Sequence, residues 1–174
     1  MEIIFLENEP LNIIGFYTDI NGCAGCVIKV NHQNTHYEIL DSFHKSGVVS
    51  LSEQGLKITE LAEKYTVTHF LSNSLGEIIY SGGTLQKYYD FGRWLKWEVT
   101  EINIEKCFFL FQCYLKEERI LFASHIKENW EKELREFDLE ACTHNHKAHH
   151  KLFSFFHATT CLKLLRSTLS INWW

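Results

Sequence analysis

The stretch IIGFYTDINGCAGCVIKV, residues 13–30, decides the fold because it holds two apolar segments joined by a turn signal. Residues 13–18 form the first segment, and Asn21-Gly22 is typical of a β-hairpin turn. Residues 26–30 are rich in β-branched side chains and predict a second strand. After a short polar connection, residues 36–43 predict a third. The chain therefore begins with an antiparallel meander.

Downstream, the spacing of apolar residues becomes helical. Ser50 followed by Glu53 resembles a capping box and predicts a helix that ends at Lys64. Residues 67–71 then predict a parallel strand reached by a crossover. The remaining segments predict helices at 84–92, 104–116, 125–137 and 148–167, a strand or loop at 94–99 and a short strand at 120–123. We expect one α/β domain spanning residues 1–174, with a mixed sheet of three antiparallel strands plus parallel strands flanked by helices.

Composition excludes several classes of protein. The 174 residues are 45% hydrophobic and 22% charged, which is enough apolar material for a folded core. No apolar run reaches the roughly 18 residues of a membrane span, and the N-terminus lacks the features of a secretory signal. We therefore expect a cytoplasmic protein without membrane contact, whose six cysteines are thiols. The net charge of −5 predicts no general affinity for nucleic acid, although a local basic face remains compatible with it.

The order of predicted elements is that of the ribonuclease-H-like fold. Within it, the chain resembles the nuclease domain of the large terminase subunit of tailed bacteriophages and prophages. The resemblance covers about residues 12–166 and is carried by the opening strands, by EINIEKCFFLFQCYLKEERILFASHIKENWEKELREF at 101–137 and by HHKLFSFFHATTCLKLL at 149–165. It implies a role in viral DNA packaging, in which that enzyme cuts concatemeric DNA. The partners it implies are double-stranded DNA and a packaging ATPase, which we expect to be separate because these residues hold no P-loop motif.

The resemblance also implies where catalytic acids belong. The family has a Gly-x-Asp step at the end of strand one, where this chain has Tyr17, with Asp19 two residues later. Asn73 follows the fourth strand in place of an acid, and His149-His150 replaces an Asp-Asp motif at the start of the last helix. The implied catalytic residues are Asp19, His149 and His150, and the implied metal ligands are Asp19, Asn73 and His150.

This set of ligands is poor in negative charge. Paired Mg²⁺ ions in phosphodiester cleavage need hard, anionic oxygen ligands, whereas histidine prefers transition metals. We therefore expect Mg²⁺ or Mn²⁺ to be held weakly, and the domain to be degenerate, with weak or no nuclease activity. Two alternatives stay open. One is an active metal-dependent endonuclease or Holliday-junction-resolvase-like enzyme that uses Asp19 with His149 or His150, and the other is a non-enzymatic module that binds DNA or protein.

Four further patterns are candidates for binding. Lys87, Arg93 and Lys96 alternate with tryptophans and are candidates for nucleic-acid contacts, although Trp94 and Trp97 are expected in the core. Residues 142–150 are rich in histidine and include Cys142, so they suggest either a metal site or a solvated loop. Cys23 and Cys26 have CxxC spacing, but an extended strand would direct their side chains to opposite faces. Gly82-Gly83 precedes a predicted helix and could bind phosphate through backbone N–H groups.

Overall fold

The computed structural model describes residues 11–30, 36–73, 75–76, 85–86, 93–98, 100–137 and 149–171, with the side chains of the last helix described as far as Thr160. The strands are β1 (Leu11–Asp19), β2 (Gly22–Val30), β3 (Tyr37–Ser46), β4 (His69–Ser72), β5 (Trp94–Lys96) and β6 (Ile120–Phe122). The helices are α1 (Leu51–Lys64), α2 (Glu101–Lys116), α3 (Lys127–Glu136) and α4 (His150–Ile171).

The six strands form one mixed sheet in the order β5-β4-β1-β2-β3-β6. The pairs β1–β2 and β2–β3 are antiparallel, whereas β1–β4, β4–β5 and β3–β6 are parallel. This confirms the predicted ribonuclease-H-like arrangement of three antiparallel strands extended by parallel ones. The second strand begins at Gly22, earlier than predicted, because the two-residue turn at Ile20-Asn21 lets pairing start at once between Asp19 and Gly22.

Helix ends follow the local sequence signals. The Ser50 hydroxyl accepts the Glu53 N–H at 3.2 Å, as the capping pattern predicts. Thr100 caps α2 in the same way through Asn103. The helix predicted at 84–92 lies largely outside the described residues. Within the part of the chain that is described, no helix is both long and apolar enough to cross a membrane.

Two hydrophobic layers lie on the two faces of the sheet. Alternation along β1 sends Ile14 and Phe16 to the α1 side, and Ile13 to the side that carries the other three helices. Cys23 joins the α1 layer and Cys26 the opposite layer, so the CxxC cysteines lie on different faces and both are free thiols. The residues from β1 that share the face of Ile13 are therefore the ones that meet α4.

The contact between α4 and β1 is closest at Gly15. A Cβ atom on Gly15 would lie 1.8 Å from the Ser154 carbonyl oxygen and 2.3 Å from the Ala158 backbone nitrogen. Both are helix backbone atoms, which cannot rotate away as a flexible side chain would. Glycine therefore allows the helix to lie directly on the strand, and this contact fixes the height of α4 above the sheet.

His157 completes this contact from the helix. Its ring is fully buried, with Nδ1 2.7 Å from the Phe153 carbonyl oxygen and Nε2 3.1 Å from the Trp97 carbonyl oxygen. Burial lowers the pKa of His157 to about 4, so the folded protein holds a neutral imidazole at neutral pH.

We predict that replacing Gly15 with alanine destabilises the protein by about 3 kcal/mol or more, because the helix backbone must move to admit the methyl group. The measurement is the urea midpoint of unfolding. Gly47→Ala is the matched control: nothing lies within 4 Å of its Cβ position, and its φ of +83° should cost only about 1 kcal/mol. Equal losses in the two variants would contradict the close contact.

We predict that His157 makes stability fall as the pH falls. In the unfolded state His157 takes up a proton near the ordinary histidine pKa, whereas in the folded state it stays neutral until about pH 4. Between these two pH values the unfolded state therefore binds more protons than the folded state. The loss amounts to about 3 kcal/mol between neutral pH and pH 4. Urea unfolding at several pH values should show a smaller acid loss in His157→Gln than in the parent. Identical pH profiles would contradict this.

Candidate functional site

The ends of β1 and β4 and the start of α4 meet at one edge of the sheet. β1 and β4 run parallel with Phe16 opposite Ser72, so their carboxyl ends lie side by side. The α4 helix begins above the turn that follows β1, where a Cβ on Gly22 would lie 3.3 Å from the His150 ring. Open α/β sheets bind ligands at the carboxyl ends of their strands, so this edge is the candidate functional site.

Asp19 and His150 contact each other directly at this site. The Asp19 Oδ1 atom lies 2.7 Å from His150 Nε2, and it also accepts the Asn21 N–H at 2.8 Å. The His150 side chain is only 9% exposed and that of Asp19 is 21% exposed. The resemblance implied that both residues act at one site, and the structure brings them together as a hydrogen-bonded pair.

Two aromatic rings flank His150. Tyr17, which stands where the resembling family has its first aspartate, lies with its ring centroid 5.6 Å from that of His150. On the other side, His44 stacks on His150 at 5.5 Å with an interplanar angle of 23°. Tyr17, Ala24 and His44 are in register across β1, β2 and β3, and the small Ala24 side chain leaves room for the imidazole above it. Burial, followed by the neighbouring His150, lowers the pKa of His44.

The side-chain amide of Asn73 is hydrogen-bonded to the backbone of β1. Its Oδ1 atom accepts the Thr18 N–H at 3.3 Å, and its Nδ2 group donates to the Thr18 carbonyl oxygen at 2.7 Å. Both polar atoms of the amide thus extend the pairing of β1 with β4 by one residue. Asn73 is 5% exposed, so these bonds replace water that the groups would otherwise bind.

His149 points away from Asp19. Its Nδ1 atom is 3.9 Å from Glu133 Oε1 on α3, and its ring meets Phe137 edge-on at 4.8 Å. The nearby His149 imidazole lowers the pKa of the Glu133 carboxyl. Burial lowers the pKa of Lys151, whose Nζ atom lies 5.2 Å from the centre of the Trp130 ring. His149 and Lys151 therefore belong to a second cluster, between α3 and α4.

A divalent metal of the kind used in phosphodiester cleavage does not fit the described residues. Hard cations need several oxygen ligands, and among the residues that the structure describes at the junction of β1, β4 and α4, Asp19 is the one carboxylate. The Asn73 oxygen already accepts a backbone N–H, and His150 Nε2 already contacts Asp19. Among the described residues, no three His, Cys, Asp or Glu side chains form a group that could hold a metal ion.

Of the three basic candidates, the structure describes Arg93 and Lys96, which lie at different ends of β5. Lys96 is exposed and in register with Ser72, next to Asn73, so it lies at the edge that carries the site. Arg93 precedes β5 at the other end of that strand. Lys87 lies outside the described residues. Trp94 is buried in the core, as expected, and stacks on Phe70 at 4.7 Å. Trp97 is half-buried and packs against the core on the His157 ring.

Two other motifs lie outside the described residues. These are the Gly82-Gly83 turn and residues 142–148 of the histidine-rich segment. Sequence reasoning missed His44 and Lys151 as neighbours of the site. Tyr37 and Ile39 face α4, so simple alternation along β3 would have placed His44 on the opposite face. A register irregularity at Leu40, opposite Val27 and Ile28, reverses the alternation and brings His44 to the face of α4, and the position of Lys151 depends on how α3 packs.

No family model matches the sequence, and no curated protein matches it. Solved structures do match in fold. The large terminase nuclease from thermophilic phage G20c aligns with a TM-score of 0.55 at 12% identity, over 87% of this chain and 82% of that one. The large terminase nuclease domain of bacteriophage SPP1, with bound Mn, gives 0.54 at 13% identity over 87% and 84%. The yeast mitochondrial Holliday junction resolvase gives 0.51 at 12% identity over 94% and 87%.

These likenesses show the fold of the chain. The chain has the α/β ribonuclease-H-like fold, and each match covers most of its length. Its structural neighbours include the nuclease domains of large terminases, which confirms the resemblance at the level of the fold. The low identities carry no site residue from those proteins to this one.

We predict that Asn73 acts as a backbone clamp. Asn73→Ala should destabilise the protein by about 2 kcal/mol, because it leaves the Thr18 N–H and carbonyl buried without partners. Asn73→Asp should also destabilise it, since a carboxylate would face the Thr18 carbonyl oxygen. Urea unfolding with and without millimolar Mn²⁺ or Mg²⁺ measures both effects. Recovery of stability by Asn73→Asp when metal is added would instead identify position 73 as a ligand.

Proposed function

We propose that the chain is a terminase-nuclease-like domain that binds double-stranded DNA in viral DNA packaging, with a degenerate site that has weak or no nuclease activity. The proposal treats residues 1–174 as one domain. One observation carries it: at the three places where the resembling family has acids, this chain has Tyr17 followed by Asp19, then Asn73, then His150. The polar groups of Asp19, Asn73 and His150 bond to each other or to the backbone.

The physical argument for lost cleavage concerns charge. A two-metal mechanism places two cations about 4 Å apart, and their mutual repulsion must be offset by several carboxylates. The Asp19 carboxylate, which already contacts the His150 imidazole, would offset little of that repulsion. If Mg²⁺ or Mn²⁺ binds, we expect it to bind weakly and to compete with the Asp19–His150 contact.

Binding to DNA needs only a local arrangement of cations. The net charge of −5 makes strong nonspecific binding unexpected, so the contact should be confined to the edge that carries the site. Lys96 lies there, beside the end of β4. Lys87 and Arg93 remain further candidates, and a packaging ATPase on a separate chain remains the proposed protein partner.

The cleavage test incubates the protein with supercoiled plasmid and millimolar Mg²⁺ or Mn²⁺. We expect little or no nicking above the level of an Asp19→Asn variant, because the ligand set does not hold paired cations. An active nuclease of known dependence on Mg²⁺ serves as the positive control. Nicking by the parent as fast as by the positive control, and abolished in Asp19→Asn, would contradict the degenerate site.

That contrary result would favour the second candidate function, a resolvase-like endonuclease that uses Asp19 and His150. The observation in its favour is the 2.7 Å contact between Asp19 Oδ1 and His150 Nε2 in a largely buried setting. A carboxylate can hold an imidazole in one orientation for proton transfer. Cleavage of a four-way junction in preference to the plasmid would distinguish this activity from that of a packaging nuclease.

The binding test titrates a short fluorescent duplex and follows its anisotropy. Affinity should fall at least tenfold between about 50 and 200 mM salt if several phosphates are contacted. Lys96→Ala should weaken binding severalfold at every salt concentration. Lys57→Ala is the matched control, because Lys57 lies on α1 and pairs with Glu60. Absence of binding at low salt would contradict the proposed function.

A further inference from the structure

A cleft of about 400 Å³ opens between β3, α3 and the first turn of α4. Ser42 and His44 line it from alternate positions of β3, and Lys151 lines it from α4. The α3 wall consists of one face of that helix, in which Asn129 is followed by residues three, four and seven positions later. We call this space the α3 cleft.

The α3 cleft shares a wall with the candidate functional site. His44 lines the cleft and also stacks on His150, and His150 contacts Asp19 at the end of β1. His44 is exposed, whereas His150 is buried. A strand of nucleic acid at the site would therefore pass beside an accessible imidazole ring, which is a flat surface on which a base can stack.

The charges around the α3 cleft balance. Its lining includes two lysines and two glutamates: Lys132, Lys151, Glu133 and Glu136. Lys132 Nζ lies 4.0 Å from Glu136 Oε1. The negative charge of the Glu133 carboxylate favours the charged form of the Lys151 ammonium. An isolated phosphate would meet as much negative as positive charge here. A neutral ligand with several hydrogen-bond donors and acceptors fits better, and the exposed Asn129 amide can pair with such groups.

We propose that the α3 cleft binds a single unpaired nucleobase of DNA held at the candidate site, with His44 stacking on the base and Asn129 bonding its edge. This inference rests on the proposed function and adds a preference for DNA with an extruded nucleotide. The base is neutral and planar and carries donors and acceptors on its edge, which are the properties that the cleft requires.

The experiment compares three labelled duplexes of one length by anisotropy. The first is perfectly paired, the second contains one unpaired adenosine and the third contains one abasic residue at the same place. The abasic DNA has the same backbone distortion without the base. We expect the adenosine bulge to bind roughly tenfold more tightly than the abasic bulge, the size of a typical base–aromatic stacking contribution.

Substitutions test whether residues of the α3 cleft cause the preference for the adenosine bulge. His44→Ala and Asn129→Ala should each reduce the preference for adenosine over the abasic residue at least threefold. His125→Ala is the matched control, because His125 is an exposed histidine that does not line the cleft, and it should leave all three affinities unchanged. Urea unfolding of each variant confirms that its fold is retained.

The outcomes separate the two proposals. Equal affinity of the parent for all three DNAs would overturn the α3 cleft as a base site and leave the proposed function intact. A preference for adenosine that survives in His44→Ala and Asn129→Ala would also overturn it. Failure of the parent to bind any of the three DNAs would contradict the proposed function itself.

Discussion

The structure depends on the approach of α4 to β1 at Gly15. Helices normally pack on sheets through side chains on both surfaces, but here the helix backbone at Ser154 and Ala158 lies within the space of a methyl group on Gly15. Because the helix is held this low and begins four residues before Ser154, its first residue, His150, lies over the β1–β2 turn. The position of the imidazole is therefore a consequence of a missing side chain on the strand.

The same constraint explains why the polar groups of the site are satisfied within the protein. His150 is lowered onto the turn until it contacts Asp19, and Tyr17 and His44 occupy the space on its two sides. Asn73 then joins the ends of β1 and β4 through the Thr18 backbone. A site that held metal ions would need its oxygen atoms directed into a shared space, whereas these atoms are directed at protein partners.

Sequence reasoning predicted the fold well because the deciding signals are local. Alternating and helical hydrophobic patterns, the Asn21-Gly22 turn and the Ser50 cap each act over a few residues, and the structure contains the predicted meander and the helix from Leu51 to Lys64. The site was harder to predict. Family spacing brought Asp19 and His150 to the same place, but it could not show that the amide of Asn73 bonds to Thr18, since that bond depends on strand register.

The α3 cleft was still harder to predict from the sequence, because it depends on how α4 packs against α3 and the sheet. Lys151 follows His150 directly in the sequence, yet it lies against Trp130 of α3, while the His150 ring faces β1 and β3. Adjacent residues at the start of a helix point about 100° apart, so one turn of α4 serves both the candidate site and the cleft. The His44–His150 stack is then the physical link between them. A displacement of His150 would alter the wall of the cleft without any change in α3, so occupancy of one space should influence the other.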